Sequence, residues 1–239
     1  MSQEFNKLVS YIEVAKKRYF FALSMFYAYE GLCDQLAPNI VGDKMANENV
    51  KIFRDFNNFL SPSKEALRVY FFLELAKLFD AADGSLHITK IVNYTQSNIA
   101  KLTAADFAEY DQDREFVDIL VADYQGISRE DLLVIKKELE DHQGIIEKIK
   151  TYRDKFLAHD DIKKPEIEIT GEEIRAVLNL LEKVLNLFSS RLISTTSIYD
   201  HIEDDTKAQI STFVDHLKRF EPYRIEEVNH EAEEFLRNN

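Results

Sequence analysis

The residue types most suggestive of chemistry are an arginine and a histidine six positions apart, Arg153 and His159. Histidine exchanges a proton near neutral pH, and a guanidinium binds a phosphate and offsets the charge that develops in a transition state. Together the two side chains can support phosphodiester cleavage without a metal. In RNA the ribose 2′-hydroxyl supplies the nucleophile, so the protein needs to provide only proton transfer and charge stabilisation.

Helical geometry places this pair on two sides of one apolar seam. The segment from Ser128 towards His159 carries apolar residues at helical spacing, and Ser128-x-x-Asp131 has the form of a capping box. At about 100° per residue, Arg153 and His159 lie roughly 60° to either side of the seam and about 9 Å apart along the axis. A bound phosphate can bridge that distance, so we take the pair as candidate catalytic residues.

Four charged neighbours are candidate substrate-binding residues: Asp154, Lys155, Asp160 and Lys163. The same geometry directs Asp160 towards the side of Arg153, whereas Asp154 points away from the seam. Lys163 follows the motif and can attract an RNA backbone, although a solvated loop also explains it.

A purely structural interpretation of the same residues stays open. An arginine near a helix C-terminus interacts favourably with the helix dipole, and a histidine there can cap free carbonyls. The spacing of Arg153 and His159 alone does not distinguish this interpretation from a catalytic one.

The composition limits the class of protein. With a formal net charge of −13, the chain repels polyanions as a whole, so any nucleic-acid role needs a local basic site or a basic partner. The single cysteine, Cys33, excludes an intramolecular disulfide and a thiolate-rich zinc site. The N-terminus has neither a signal-peptide pattern nor a membrane span, so we expect a cytoplasmic protein with no membrane association.

Metal and cofactor binding are not expected. The run from Asp80 to Gly84 lacks the ligand spacing of a calcium loop and is better explained as a helix end. His142, beside Asp141 and Gly144, fits a loosened turn. The remaining histidines lack metal-ligand pairing, and surface or cap roles are favoured for them: His87, His201, His216 and His230.

The scarcity of glycine (6) and proline (4) predicts an all-α fold with long helices. A first helix should end near Pro38, and Ser61-Pro62 predicts the N-cap and first position of a later helix. The apolar run 69–79 predicts the central buried helix of a bundle. Capping-box patterns predict further helix starts at Thr103, Ser128 and Thr170.

We predict a helical bundle over residues 1–195 and a short C-terminal helical appendage, packed on the bundle, over residues 196–239. The appendage should contain two helices, around residues 200–219 and 225–237. They should bury a few apolar side chains, including Ile202, Val214, Val228 and Phe235.

The motif and its surroundings resemble a known family. Arg153-Asp-Lys-Phe-Leu-Ala-His159-Asp-Asp161 is similar to the Arg-Asn-Lys-x-x-Ala-His-x-Asp signature of the HEPN superfamily, especially its AbiU2-like branch from phage abortive-infection systems. The segments Leu75–Asp80 and Ser85–Ile88 also resemble that branch. The resemblance covers roughly residues 5 to 195.

This resemblance implies an HEPN-type α-helical bundle that forms a homodimer, with two motifs facing each other across a cleft. Many HEPN proteins are metal-independent RNA endonucleases that act as toxins or antiviral effectors. By resemblance, Arg153 holds the scissile phosphate and His159 is the general acid or base. Asp154 occupies the position of the common asparagine and brings a negative charge near the phosphate.

We therefore expect a metal-independent endoribonuclease in a phage-defence or toxin–antitoxin setting, with RNA as substrate and an antitoxin protein as a candidate partner. The alternative is a non-catalytic HEPN-like module that binds a nucleotide, an RNA or a partner protein.

Overall fold

The described residues of the computed structural model are 2–82, 84–158 and 167–238, with side chains at all of these except 156–158. Within these ranges the chain forms α-helices and no β-strand, which confirms the predicted all-α class. A 3-10 turn over Ile99–Lys101 and a π-helical segment over Arg153–Ala158 accompany them. The helices are α1 Gln3–Asp34, α2 Pro38–Val41, α3 Asp43–Asp55, α4 Asn57–Phe79, α5 Ile88–Asn98, α6 Ala104–Tyr110, α7 Val117–Ala122, α8 Arg129–Asp141, α9 Gln143–Tyr152, α10 Gly171–Ile193 and α11 His201–Asn238.

Local sequence determines where three of these helices begin. In each case a Ser or Thr side chain accepts a hydrogen bond from the third helical N–H, and the acidic residue at that position accepts one from the cap. This reciprocal arrangement satisfies two N–H groups that no helical carbonyl can reach. The predicted capping boxes are thereby confirmed: Thr103 with Asp106, Ser128 with Asp131, and Thr170 with Glu173.

The first helix ends at Asp34, shortly before Pro38, as predicted, but two other predicted helix boundaries are wrong. Helix α4 begins at Asn57 and continues through Pro62, although Ser61-Pro62 was expected to start it. Pro222 likewise lies inside α11, which is one helix instead of the two expected. Proline has a helical φ, but inside a helix it removes one backbone hydrogen bond and its ring crowds the carbonyl four residues earlier, so the flanking helical turns must offset this cost.

The predicted continuous helix towards His159 is interrupted. Helix α8 ends at Asp141, and His142 has φ −102° and ψ 6°, outside the helical region. The turn expected around this histidine is therefore present. Helix α9 then ends at Tyr152, immediately before Arg153.

The chain divides into two compact units, and the first comprises Met1–Leu23 and Val69–Ile198. Its core is built from apolar faces repeating every three or four residues, which removes large side chains from water. Phe107 stacks on Tyr124 with ring centroids 5.3 Å apart. The largest fully buried side chains all belong to this unit: Phe5, Leu8, Ile12, Tyr19, Leu75, Leu78, Ile88, Ile91, Phe107, Ile135, Ile149 and Phe188.

The second unit comprises Ser24–Arg68 and Tyr199–Asn239. Helix α11 buries Ile202 and Val214 there. Val228 and Phe235, which were expected to be buried, are 51% and 68% exposed. The predicted domain boundary after residue 195 stays a prediction.

Candidate functional site

Arg153 lies where helix α9 changes its hydrogen-bonding pattern. The α-helix ends at Tyr152, and Arg153–Ala158 continues as a π-helical segment, in which backbone bonds join residues five apart. The angular positions assumed for an α-helix therefore do not hold along the motif. Short π-helical segments occur frequently at functional sites because they reorient side chains locally.

Two carboxylates hold the guanidinium of Arg153. Nη1 donates to Oδ2 of Asp80 over 2.6 Å. Nε donates to Oδ1 of Asp154 over 2.7 Å, and Nη2 lies 2.6 Å from the same oxygen. Because the arginine side chain is only 18% exposed, these contacts fix the guanidinium at the edge of the core.

The ion pairs stabilise the charged forms of Asp80 and Arg153. The hydrogen bond from Arg153 holds the pKa of Asp80 below its ordinary value, which outweighs the opposing effect of burial. Burial lowers the pKa of Arg153, but the hydrogen bonds to Asp80 and Asp154 produce a net rise. Arg153 is therefore cationic at every pH that the folded protein experiences, and it is matched by two negative charges.

Asp80 belongs to a loop that several cations contact. The loop follows helix α4, and the N–H of Ala82 donates to the Asp80 carboxylate. Further along, Nζ of Lys90 donates to the carbonyl of Ser85 over 3.0 Å, and Nη1 of Arg18 donates to the carbonyl of Leu86 over 2.8 Å. The loop is thus anchored by cationic side chains within the first unit, in a chain that is acidic overall.

His87 ends the same loop and caps helix α5. Its Nδ1 accepts a hydrogen bond from the N–H of Lys90 over 3.3 Å, which confirms the cap role favoured from the sequence. The residue is buried, and burial together with the charge of Lys90 lowers the pKa of its ring, against the opposing charge of Asp80. The neutral form of the His87 ring is therefore favoured, and the charge of Asp80, the partner of Arg153, acts on it, a relationship that the sequence did not predict.

Lys150 is a second cation beside this loop. It lies one helical turn before Arg153, on α9, and its charge lowers the pKa of both Asp80 and His87. In the sequence, the one indication that Lys150 lies beside Arg153 is its position three residues earlier, since residues three apart on a helix are neighbours.

The other predicted site residues have different outcomes. Asp154, which α-helical geometry directed away from the seam, contacts Arg153 instead. Lys155 is exposed. His159, Asp160 and Lys163 lie outside the described residues.

The structure adds two observations on metals and membranes. Among the described residues, no three histidine, cysteine or carboxylate side chains are grouped to hold a metal ion. Across the same part of the chain, every helix is too short or too polar to serve as a membrane span.

Comparison with known proteins identifies the family. The family model HEPN_AbiU2, described as AbiU2, matches residues 6–219, which is well over half of the chain. The chain therefore belongs to the HEPN_AbiU2 family and is an HEPN module of the abortive-infection-related kind. The resemblance drawn from the motif is confirmed, and the match extends beyond residue 195 into α11. No curated protein and no solved structure matches the chain.

Proposed function

We propose that this protein is a metal-independent endoribonuclease that acts through Arg153 and His159 at a cleft between two copies of the chain. Its setting is phage defence or a toxin–antitoxin system. A cytoplasmic location and an antitoxin partner belong to the same proposal.

The observation that carries this proposal is the fixed, cationic guanidinium of Arg153 in a chain of the HEPN_AbiU2 family. A phosphodiester needs a positive charge placed before the reaction begins, because the transition state carries more negative charge on its oxygens than the ground state. The partial burial of Arg153 strengthens such an interaction, since fewer water molecules screen it.

The chemistry follows from the substrate. A general base takes the proton of the ribose 2′-hydroxyl, and the oxygen attacks the adjacent phosphorus. The bond from phosphorus to the 5′-oxygen breaks, and a general acid protonates that oxygen. The products are a 2′,3′-cyclic phosphate and a 5′-hydroxyl. In this proposal His159 transfers protons and Arg153 stabilises the phosphoryl oxygens.

The negative net charge of the chain limits which kinds of RNA can approach the site. With a net charge of −13, long naked RNA is repelled, so a folded RNA presented locally is the favoured substrate. Lys155 and Lys163 are proposed to contact its backbone, and Asp154 and Asp160 to belong to the same substrate-binding site.

The test is cleavage of total RNA, with and without EDTA, by the wild type, Arg153→Ala and His159→Ala. We expect cleavage that persists in EDTA and disappears in both variants, with helicity and sedimentation unchanged. His230→Ala is the matched control because this histidine is exposed, so that variant should cleave normally. Unchanged cleavage in either motif variant rejects the assignment, and a monomer at all concentrations rejects the dimer cleft.

A second candidate is a non-catalytic module that binds a nucleotide, an RNA or a partner protein. It is favoured by the two carboxylates on Arg153, which leave the cluster with an excess of negative charge. Specific RNA binding without cleavage would support this alternative.

A further inference from the structure

We propose that Arg153 and Lys150 form a phosphate-binding site for the RNA backbone, and that the Asp80 carboxylate fills this site in the free protein. The inference rests on the proposed function, because it assumes that RNA reaches Arg153. It adds to that function a second binding cation and a carboxylate that the substrate displaces.

The two carboxylates on Arg153 contact different sides of the guanidinium. Asp154 contacts Nε and Nη2, and it belongs to the same π-helical segment as the arginine. Asp80 contacts Nη1 and comes from the loop after α4. If Asp80 leaves, Asp154 still fixes the orientation of the guanidinium while Nη1 becomes available.

An incoming phosphate cannot bind while both carboxylates remain. The cluster would then hold three anions around one guanidinium, and like charges at hydrogen-bonding distance are strongly unfavourable. When a phosphodiester replaces the Asp80 carboxylate at the guanidinium, one negative charge replaces another and the local charge is unchanged. The replacement also keeps a charge-assisted hydrogen bond to Nη1, because phosphate and carboxylate oxygens fit the arginine donors in the same way.

Of the two carboxylates on Arg153, that of Asp80 is the one that we expect a phosphate to displace. Its side chain is 29% exposed, so the displaced group regains water without crossing the core. The side chain of Asp154 is more exposed, at 49%, but it stays beside the guanidinium because Asp154 follows Arg153 directly in the chain. The next residues, Ala81 and Ala82, are exposed, and Gly84 has φ +84°, which lies in the left-handed region. The loop therefore lacks side-chain packing directly after Asp80.

Lys150 supplies the second cation. Its charge already acts on the Asp80 carboxyl, so a phosphate in the same place lies within its field. Among the described residues, no ion pair engages Lys150, so within that part of the chain its ammonium breaks no ion pair when it binds a phosphate. A lysine and an arginine one turn apart present two cations to one stretch of backbone.

Binding of a 2′-O-methyl RNA oligonucleotide, followed by fluorescence anisotropy, tests the proposal, because this strand has no free 2′-hydroxyl and cannot be cleaved. We expect Asp80→Asn to bind about five- to tenfold more tightly than the wild type, the effect of about one charged contact. The double variant Asp80→Asn with Arg153→Ala should lose this gain. Asp123→Asn is the control because it removes the same charge from an exposed position.

Lys150 is tested in the wild-type background, which keeps the proposal falsifiable if the Asp80 variant fails to fold. Lys150→Gln should weaken binding about fivefold, and Lys150→Arg should retain it. Equal binding by Lys150→Gln and the wild type overturns the role of the lysine. Equal binding by Asp80→Asn and Asp123→Asn overturns the displacement by phosphate.

Two further outcomes distinguish a failure of the phosphate site from a failure of the proposed ribonuclease activity. If no form cleaves unmodified RNA but Asp80→Asn binds more tightly through Arg153, the phosphate site stands and the nuclease fails. If the wild type cleaves RNA and Asp80→Asn gains no affinity, the nuclease stands and the phosphate site fails. Displacement of the oligonucleotide by adenosine monophosphate at equal concentration assigns the site to single nucleotides and overturns the preference for an RNA strand.

Discussion

Oδ2 of Asp80 lies 2.6 Å from Nη1 of Arg153, although the two residues are 73 positions apart in the chain. The contact joins the loop after α4 to the segment after α9, within one compact unit. The arginine of a short local motif is therefore held by a residue outside that motif.

This ion pair should make the stability of the protein depend on pH through Asp80. The pKa of Asp80 is lowered in the folded protein, so its contribution is complete above the ordinary carboxyl pKa and is lost as the pH falls through the folded value. We expect Asp80→Asn to lower the free energy of unfolding by about 0.5–1 kcal/mol near pH 7, since the pair is partly exposed. The difference should shrink below about pH 4.

Urea denaturation at several pH values measures this difference. Asp123→Asn serves again as the control because it removes a carboxylate at an exposed position. A difference between wild type and Asp80→Asn that does not change between pH 7 and pH 3 would contradict the linkage.

The same contact shows what the sequence could and could not predict. The capping boxes were predictable because Thr103, Ser128 and Thr170 act on residues three positions away. The pairing of Asp80 with Arg153 depends on how two helix ends meet, and nothing in either local pattern encodes it.

The sequence located the motif, but the side-chain direction predicted for Asp154 within it was wrong. The angles predicted for the motif are those of an α-helix up to His159, but the backbone bonding changes to the π-helical pattern at Arg153. The contact between Asp154 and the guanidinium was missed for that reason. The family itself was predictable because the residue types of the motif, which do not depend on its geometry, carry the resemblance.

His87 should introduce a second pH dependence. The neutral ring accepts the N–H of Lys90, and a protonated ring has no free nitrogen to do so. Because burial lowers the pKa of His87 in the folded state, the cap stabilises the protein above about pH 6.5, and this contribution is lost as the pH falls through the folded value.

The variant His87→Asn isolates this effect because asparagine provides a cap acceptor at every pH. We expect the wild type to lose about 0.5–1 kcal/mol of unfolding free energy relative to His87→Asn between pH 7.5 and pH 5. Thermal or urea denaturation across this range measures it. Parallel pH profiles for the two proteins would contradict the role of the histidine.

Arg114 should stabilise the end of α10 in a way that lysine cannot replace. Its Nη1 donates to the carbonyl of Ile193 over 3.1 Å, and Nη2 donates to that of Ser194 over 3.2 Å. Ser194 has φ +49°, so the chain leaves the helix here and its last carbonyls need donors. A single ammonium does not reproduce the two parallel donors.

We expect Arg114→Lys to lower the free energy of unfolding by about 1 kcal/mol. Arg129→Lys is the matched control because Arg129 is exposed at the start of α8, and it should change stability by less than about 0.5 kcal/mol. Equal stability of the two variants in urea denaturation would show that the carbonyl contacts contribute nothing.

The last turns of α11 should be dispensable for folding, although they carry apolar residues. Every residue from 222 to 238 is exposed. Arg224, whose side chain is 44% exposed, pairs with Glu221 over 2.5 Å and with Asp55 over 4.0 Å, and it lies 5.7 Å from the ring centroid of Phe56. Ion pairs and cation–π contacts of an exposed arginine contribute about 1 kcal/mol or less. A chain that ends at Pro222 should therefore unfold within about 1 kcal/mol of the full protein.

Two isoleucines on this helix provide an internal comparison. Ile202 is 6% exposed and Ile225 is 48% exposed. Replacing Ile202 with alanine removes buried methyl groups and leaves a cavity, which should cost about 2–5 kcal/mol, whereas Ile225→Ala should cost less than about 0.5 kcal/mol. Denaturant unfolding of both variants measures the difference. A large loss of stability for Ile225→Ala, or for the chain ending at Pro222, would mean that the C-terminal turns are covered in solution, because an exposed side chain has no packing to lose.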